Sequence, residues 1–192
     1  DYKLTEQSSL RDHVLSVVRS YQEQLRLSKQ KLTELSQTIQ RYKHHNVNYP
    51  PHIAAAVDAI ESQCPKAKPA VLCDFIEIAD PQWQMSIEGY IGGARFSIIV
   101  EPEYEADAIR IVRSLHGHKN KARIIQGEKS QRDATKISLP KDSIFNVMVF
   151  DHKIVEYYIK ASYGAVVRVA DENTLRKTAR GITVAGLGSG NY

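Results

Sequence analysis

The sequence predicts an α/β (α+β) domain of mixed sheets and flanking helices, in two lobes, preceded by one long helix. Three observations predict it. An apolar seven-residue repeat runs through the first 45 residues and stops at Tyr49-Pro50-Pro51. Beyond it, short β-favouring runs alternate with amphipathic runs bounded by Asp, Pro and Gly. The order strand, helix, strand, helix is then written twice, before and after a polar stretch, as an internal duplication would leave it.

The repeat places Leu4, Arg11, Val18, Leu25, Leu32 and Ile39 at position a, and Gln7, Val14, Tyr21, Ser28, Leu35 and Tyr42 at position d. Nine of these twelve are apolar, the flanks are polar, and no Gly or Pro interrupts the run, so residues 1–45 read as a coiled-coil arm. If helical throughout, the arm reaches roughly 65 Å. The alternative is a single amphipathic helix lying on its own domain. Against it, the stripe is narrow, and Gln7, Arg11 and Ser28 would sit badly in a globular core. No second heptad run follows, so the partner strand is expected from another molecule or from sequence beyond Tyr192. The start at Asp1 without Met and the finish on a Gly-rich run fit a piece of a longer protein.

Residues 46–69 read as a linker with a short helix, in which Ile53, Val57 and Ile60 share a face. The run 70–78 reads as a buried strand. Asp80 with Pro81 is a helix start, and Trp83, Ile87, Tyr90 and Ile91 form one apolar face up to Gly92-Gly93. Phe96–Val100 is a strand, and Pro102 opens a helix with Tyr104, Ala108, Ile111, Val112 and Leu115 on one face. Most of residues 116–143 read as a surface loop, with a short strand at 122–125. Ile144–Phe150 is then a strand, Asp151 caps a helix ended by Gly164, Ala165–Val169 is a strand, Asp171 starts a helix, and 181–184 is the last strand. Lobe one spans 70–126, the loop 127–143, and lobe two 144–192.

A hydrophobic content of 42% with 25% charge suits one domain with a real core. No run approaches the roughly 18 apolar residues of a membrane span, so a soluble, cytoplasmic protein is expected. Cys64 and Cys73 match no metal or disulfide pattern. His116-x-His118 lacks further ligands, and Asp74, Glu77 and Glu88 have no convergent His or Lys signal. Trp83 and Tyr90 read as core, and Gly188-Ser189-Gly190 is no nucleophile elbow. Gly186-x-Gly188-x-Gly190 opens no helix, which argues against a dinucleotide fingerprint. Gly-x-x-x-x-Gly-Lys-Ser/Thr is absent. No catalytic residue, metal ligand or cofactor is therefore assigned, and the fragment is not expected to be an enzyme.

The net charge is +4, which permits polyanion binding without demanding it. Arg41, Lys43, Lys66, Lys68, Lys119, Lys121 and Arg123 are the candidates for DNA phosphates. The alternative for each is a solvated face.

An arm ending in Pro, a two-lobed α/β domain and a Gly-rich exit together resemble the hinge domain of SMC-type chromosome-organising ATPases. The resemblance is carried by 72–78 (Leu-Cys-Asp-Phe-Ile-Glu-Ile), Trp83 through Gly93, 96–100, Tyr163–Val169, and Gly181–Gly186 running into Gly188 and Gly190. Cys73-Asp74-Phe75-Ile76-Glu77, Trp83 and Ile87-Glu88-Gly89 look most like the MukB-related, JetC-type subunit of Wadjet plasmid-defence systems. Ala185 departs from the pattern, since hinges commonly carry an acidic or polar residue there.

The resemblance covers roughly residues 66–192. It implies a homodimerisation module at the tip of coiled-coil arms whose far ends carry ATP-binding heads. It further implies an outgoing coil of the same parent, kleisin-type and other subunits, and action on DNA by loop extrusion in plasmid restriction, or in chromosome organisation and segregation. Nucleoid or plasmid association follows from the same source. Gly92, Gly93, Gly181, Gly186, Gly188 and Gly190 are the interface candidates, because a residue without a side chain lets a second backbone approach and pair at a sheet edge. The competing expectation is a coiled-coil adaptor whose α/β domain binds a protein or small ligand.

Overall fold

The computed structural model describes residues 2–43 and 49–190; within the first helix, side chains are described at Arg11 and over 13–33. The chain divides into two compact units, 1–48 and 49–192. His44, His45 and the terminal Asn191 and Tyr192 lie outside the described residues, as do the side chains of Leu4, Gln7, Leu35, Ile39 and Tyr42.

The first unit is one helix, α1 (Tyr2–Lys43), of 42 residues. Its described seam side chains face solvent: Tyr21 is 67% exposed, Leu25 57% and Leu32 71%. Its local bonds are short-range, such as Arg26 to Glu23 at 2.6 Å.

In the second unit, α2 (Pro51–Gln63) begins on a proline, whose missing N–H is one of the helix's orphan donors anyway. It buries Ile53, Ala56 and Ile60. The run expected as a single strand at 70–78 is broken. β1 (Ala70–Val71) ends in a 3-10 turn at Leu72–Phe75, and β2 (Ile76–Ile78) follows in a different sheet. Leu72 anchors the break, being fully buried with its amide on the Ser97 carbonyl at 2.9 Å.

Helix α3 (Pro81–Ile91) starts as expected, with the Asp80 carboxylate accepting from the Gln82 amide. It ends at Gly92, whose φ of +57° favours glycine. β3 (Ile98–Ile99) pairs antiparallel with β1. Ile98 also bridges in parallel to Ile124, so of the short strand expected at 122–125 a single bridge residue forms, on β3's far side. α4 (Glu105–Ser114) follows a 3-10 turn at Pro102–Tyr104 and buries Ala108 and Val112.

The stretch expected as loop contains a 3-10 turn (Gly117–Lys121) and a helix, α5 (Gly127–Ala134). Small residues at 127, 130 and 134 are its buried face, which gave no apolar signal. β4 (Met148–Phe150) pairs antiparallel with β2, joining the two halves of the sequence in one ladder. α6 (Lys153–Tyr163) is capped by His152 rather than Asp151, because it is the His152 Nδ1 that accepts from the Ile154 amide, at 3.2 Å.

β5 (Val167–Arg168) precedes α7 (Glu172–Arg176), which Asp171 caps through the Thr174 amide. β6 (Gly181–Ile182) lies parallel to β5. Residues 188–189, expected as part of a Gly-rich exit, instead form a strand, β7 (Gly188–Ser189), antiparallel to β6.

Two buried clusters make up the core. One holds Ile53, Ile60, Val71, Ile98, Ala108 and Val112. The other holds Leu72, Ile87, Ile99, Ile125, Ile144, Val155, Ile159 and Ile182. The sheet of β1, β3 and Ile124 separates them: Val71 and Ile98 face one cluster, while their neighbours Leu72 and Ile99 face the other, as alternation along strands requires. Helix α3 packs with the second cluster, over the sheet of β5, β6 and β7. The halves of the sequence are thus interleaved in space.

Candidate functional site

The surfaces that could carry function are the ends of the small sheets. In a parallel bridge, the partner residue turns its own amide and carbonyl outward. The Ile98 amide donates to the Arg123 carbonyl at 2.7 Å and the Ile125 amide to the Ile98 carbonyl at 2.8 Å. The N–H and C=O of Ile124 therefore point away from β3, and neither has a hydrogen-bond partner among the described residues. A cleft opens on each side of this segment. Arg113, Lys121, Arg123 and Gln126 line one. Lys129, Tyr158, Ala161 and Ser162 line the other.

The second edge is β7. In the antiparallel register Gly181 faces Ser189 and Ile182 faces Gly188. The Thr183 amide donates to the Leu187 carbonyl at 2.9 Å, so the alternation puts Gly188 at a pair that exchanges no bonds. Its amide and carbonyl face outward. Beside it the turn carries Val184, 40% exposed, and Leu187, 49% exposed.

The six interface glycines divide by what surrounds them. Gly181 is buried, and a Cβ there would meet Thr178 at 2.9 Å. Gly190 has φ +87° and abuts the Ala179 carbonyl. A Cβ on Gly188 would press on the Tyr90 ring. These three are accounted for within the chain. Gly186, at φ +84°, makes the turn before β7. Gly92 and Gly93 have open space around them.

Of the DNA candidates, Lys119, Lys121 and Arg123 are exposed and gathered on the loop leading to Ile124. The structure adds Arg113, whose guanidinium donates to the Asn120 carbonyl at 3.2 Å, and Lys129 on α5. Neither has a sequence signal beyond its charge: Arg113 sits on the exposed side of α4, and Lys129 is on α5, which read as loop. Lys66 is exposed, whereas Lys68 pairs with Glu101 at 3.1 Å. Arg41 and Lys43 belong to α1, with side chains outside the described residues.

Near the start of the second unit, the Tyr49 hydroxyl donates to the Asp74 carboxylate at 2.5 Å, and the Cys73 thiol lies 3.8 Å from the other Asp74 oxygen. Burial, then the Asp74 charge, pushes the Cys73 thiol up to about 12. Burial likewise raises the Tyr49 phenol, with Asp74 adding to it. A thiol held protonated in this way is a poor nucleophile. Among the described residues no three His, Cys, Asp or Glu side chains converge as metal ligands, and no helix is long and apolar enough to cross a membrane.

No protein-family model and no curated protein matches the sequence. Solved structures do match the fold. An asymmetric dimer of the Geobacillus stearothermophilus SMC hinge domain aligns with TM-score 0.56 at 16% identity, over 86% of this chain and 70% of that one. The Pyrococcus furiosus Smc hinge domain with an extended coiled coil aligns with TM-score 0.55 at 20% identity, over 81% of this chain and 56% of that one. A chain of the folded elbow of cohesin aligns with TM-score 0.55 at 17% identity, over 84% of this chain and 25% of that one. The fold is that of an SMC hinge domain.

Proposed function

We propose that residues 49–192 are a hinge-type self-association module, on the arm of an SMC-like ATPase whose heads lie outside these residues. The observation that carries the reading is the pair of unfinished sheet edges, at Ile124 and at Gly188. Unpaired edges are a liability unless something covers them. Two copies related by a two-fold axis would satisfy both edges twice, Ile124 of one against Gly188 of the other, in a closed assembly. The hinge fold and the described part of the heptad seam, which faces solvent, support the same reading, the seam being suited to an outgoing coil of the same parent.

Absolute mass by light scattering over a hundredfold concentration range tests it. A variant at Gly188 would perturb packing on Tyr90, so the edges are better broken by Gln126→Pro and Leu187→Lys, both at exposed positions. The expected result is a dimer that the double variant splits while the fold persists. A monomer at every concentration favours the adaptor reading, in which the domain waits for a different partner.

DNA contact by Lys119, Lys121 and Arg123, joined by Arg113 and Lys129, is the second part of the proposal. Their clustering at one sheet edge, with no carboxylate paired to any of them among the described residues, favours it. Binding of this kind is weak and sequence-independent. Its log-log salt slope should be about −0.9 per phosphate neutralised, and replacing the first three by Ala should flatten it. Absence of any retarded complex at low salt would remove this part. Assignment to the MukB-related, JetC-type subunit of Wadjet systems, with plasmid restriction by loop extrusion and kleisin-type partners, rests on the sequence resemblance at 73–77, Trp83 and 87–89. Loss of plasmid exclusion when the hinge is deleted from the parent gene tests that assignment against a role in chromosome maintenance.

A further inference from the structure

The ribbon of β2 and β4 has an open edge of its own. The Ala79 amide donates to the Val147 carbonyl at 2.9 Å and the Asp151 amide to the Phe75 carbonyl at 3.2 Å, so Phe75, Glu77 and Ala79 are the positions that bond to the β4 side. Ile76 and Ile78 fall between them. Their N–H and C=O groups point away from β4, and none of these has a hydrogen-bond partner among the described residues. Main-chain groups left unpaired in a folded interior are rare, so these are solvated. Burial agrees with that: Met148 on β4 is 8% exposed, whereas its cross-strand partner Ile78 and the neighbouring Ile76 are only half-buried, although all three pack on the same core. The outer side of β2 is uncovered.

The surroundings of this edge are acidic, in a chain of net charge +4. Pairing and alternation put Glu77 and Val149 opposite each other on the solvent face, with Asp151 beyond Val149, and all three are exposed. Asp74 and Asp80 bracket β2. None of Asp74, Glu77, Asp80 and Asp151 joins an ion pair among the described residues. No Lys or Arg occurs in 69–94 or in 142–152, and Lys68, Arg95 and Lys153 at the ends of these runs are already paired, with Glu101, Glu88 and Glu156. A second β2 laid along the edge would set like charges against each other, which disfavours self-pairing here.

We propose that β2 accepts an antiparallel third strand from a basic partner polypeptide, an extended segment in which Lys or Arg alternates with β-branched apolar residues. The open edge supplies the site, and the charge selects the occupant. The apolar residues of the segment lie opposite Ile76 and Ile78, exchange main-chain hydrogen bonds with them and extend the core face, while the cations fall on the solvent face beside Glu77. A two-stranded ribbon is thereby completed to three. The pairing of Ile124 with Gly188 leaves β2 free, and the proposal does not depend on that pairing.

The full 192-residue chain, labelled with nitrogen-15, is titrated with an acetylated and amidated Lys-Val-Lys-Val-Lys peptide. In the free protein the Ile76 and Ile78 amides should exchange quickly with solvent and the Glu77 amide slowly, because only the last is in the ladder. The peptide should shift and slow the first two along one saturable curve. N-methylation of both valines removes the donors that face β2 and keeps the charge, and it should weaken binding by about tenfold or more. Glu77→Lys, at an exposed position, should weaken it by about fivefold or more, and a Glu-Val-Glu-Val-Glu peptide should not bind. Slow exchange at Ile76 and Ile78 in the free chain overturns the site, and slowing that grows with protein concentration gives the edge to a second copy and overturns the assigned partner. Equal binding of the N-methylated peptide reduces the contact to charge and overturns strand addition. Equal or tighter binding of the glutamate peptide overturns the basic occupant, and no saturable response to the lysine peptide overturns the proposal as a whole.

Discussion

A Cβ placed on Gly188 would stand 2.9 Å from Cε2 of Tyr90, and the Tyr90 hydroxyl donates to the Ser189 carbonyl at 3.2 Å. The ring therefore presses on β7 at one residue and bonds it at the next. A helix from the first half of the sequence fixes the last strand of the second, and thereby the edge at Gly188. Gly188→Ala should destabilise the domain by about 1–3 kcal/mol, the usual effect of overpacking. Tyr90→Phe should cost about 1 kcal/mol through the lost hydrogen bond. In Gly188→Ala/Tyr90→Ala the two effects should be non-additive, because the methyl then has room. Urea midpoints measure all of these, and a neutral Gly188→Ala would contradict the packing.

Glu105, in the first turn of α4, accepts from the Gly127 amide at 2.6 Å and so occupies the start of α5. A negative group at a helix N-terminus satisfies an orphan donor and complements the dipole. Glu105→Ala should cost about 1.5–3 kcal/mol, the range for a hydrogen bond to a charged group. The α5 amides should lose hydrogen-exchange protection before those of α6. Gly127→Ala should also destabilise, since its Cβ would lie 3.0 Å from Glu105 Oε1 and 3.1 Å from Ile154 Cδ1. Uniform loss of protection across the domain would mean that α5 is not secured by this contact.

The fold raises the Cys73 thiol to about 12, chiefly by burial, whereas an unfolded thiol titrates near ~8.5. The folded state therefore holds its proton where the unfolded state has lost it. The corresponding stability is fully present below the unfolded value and falls as pH rises from there toward 12. Tyr49 adds to the decline in the same direction, since its phenol is also raised. Denaturation midpoints from pH 8 to 11 should fall in the wild-type protein and fall less in Cys73→Ala. Alkylation of Cys73 should stay slow until the fold opens. Rapid modification at pH 8 would contradict the burial.

The helices with end signals were legible in the sequence. Asp80 and Pro81 at the start of α3, Gly92 at its end, Asp171 before α7 and Gly164 after α6 all carry chemistry that a helix terminus needs. The strands were less so, because tertiary pairing decides where a β-favouring run breaks. Nothing local in 70–78 says that β1 and β2 join different sheets; the break depends on Leu72 bonding Ser97 across the core. Helix α5 was hidden because it packs by Gly127, Ser130 and Ala134 and begins on a carboxylate 22 residues away. His152 displaced Asp151 as the cap of α6, a choice of register that residue type alone does not make.

The glycines of the last segment marked a place where backbones approach, but for Gly181, Gly188 and Gly190 the neighbour is the chain itself. Lys119, Lys121 and Arg123 were visible as a charge cluster. That they flank an unpaired strand edge is a property of the parallel bridge between Ile98 and Ile124, which no spacing encodes.

Pairing of the two edges in trans is the central claim, and disulfide trapping between differently marked copies tests it most directly. One preparation carries Arg123→Cys and the other Leu187→Cys, both exposed positions, in a background of Cys64→Ser and Cys73→Ala. The account predicts a cross-linked product in the mixture that exceeds anything either preparation gives alone. Cross-links confined to like-with-like pairs, or none at concentrations well above those used for light scattering, would contradict it.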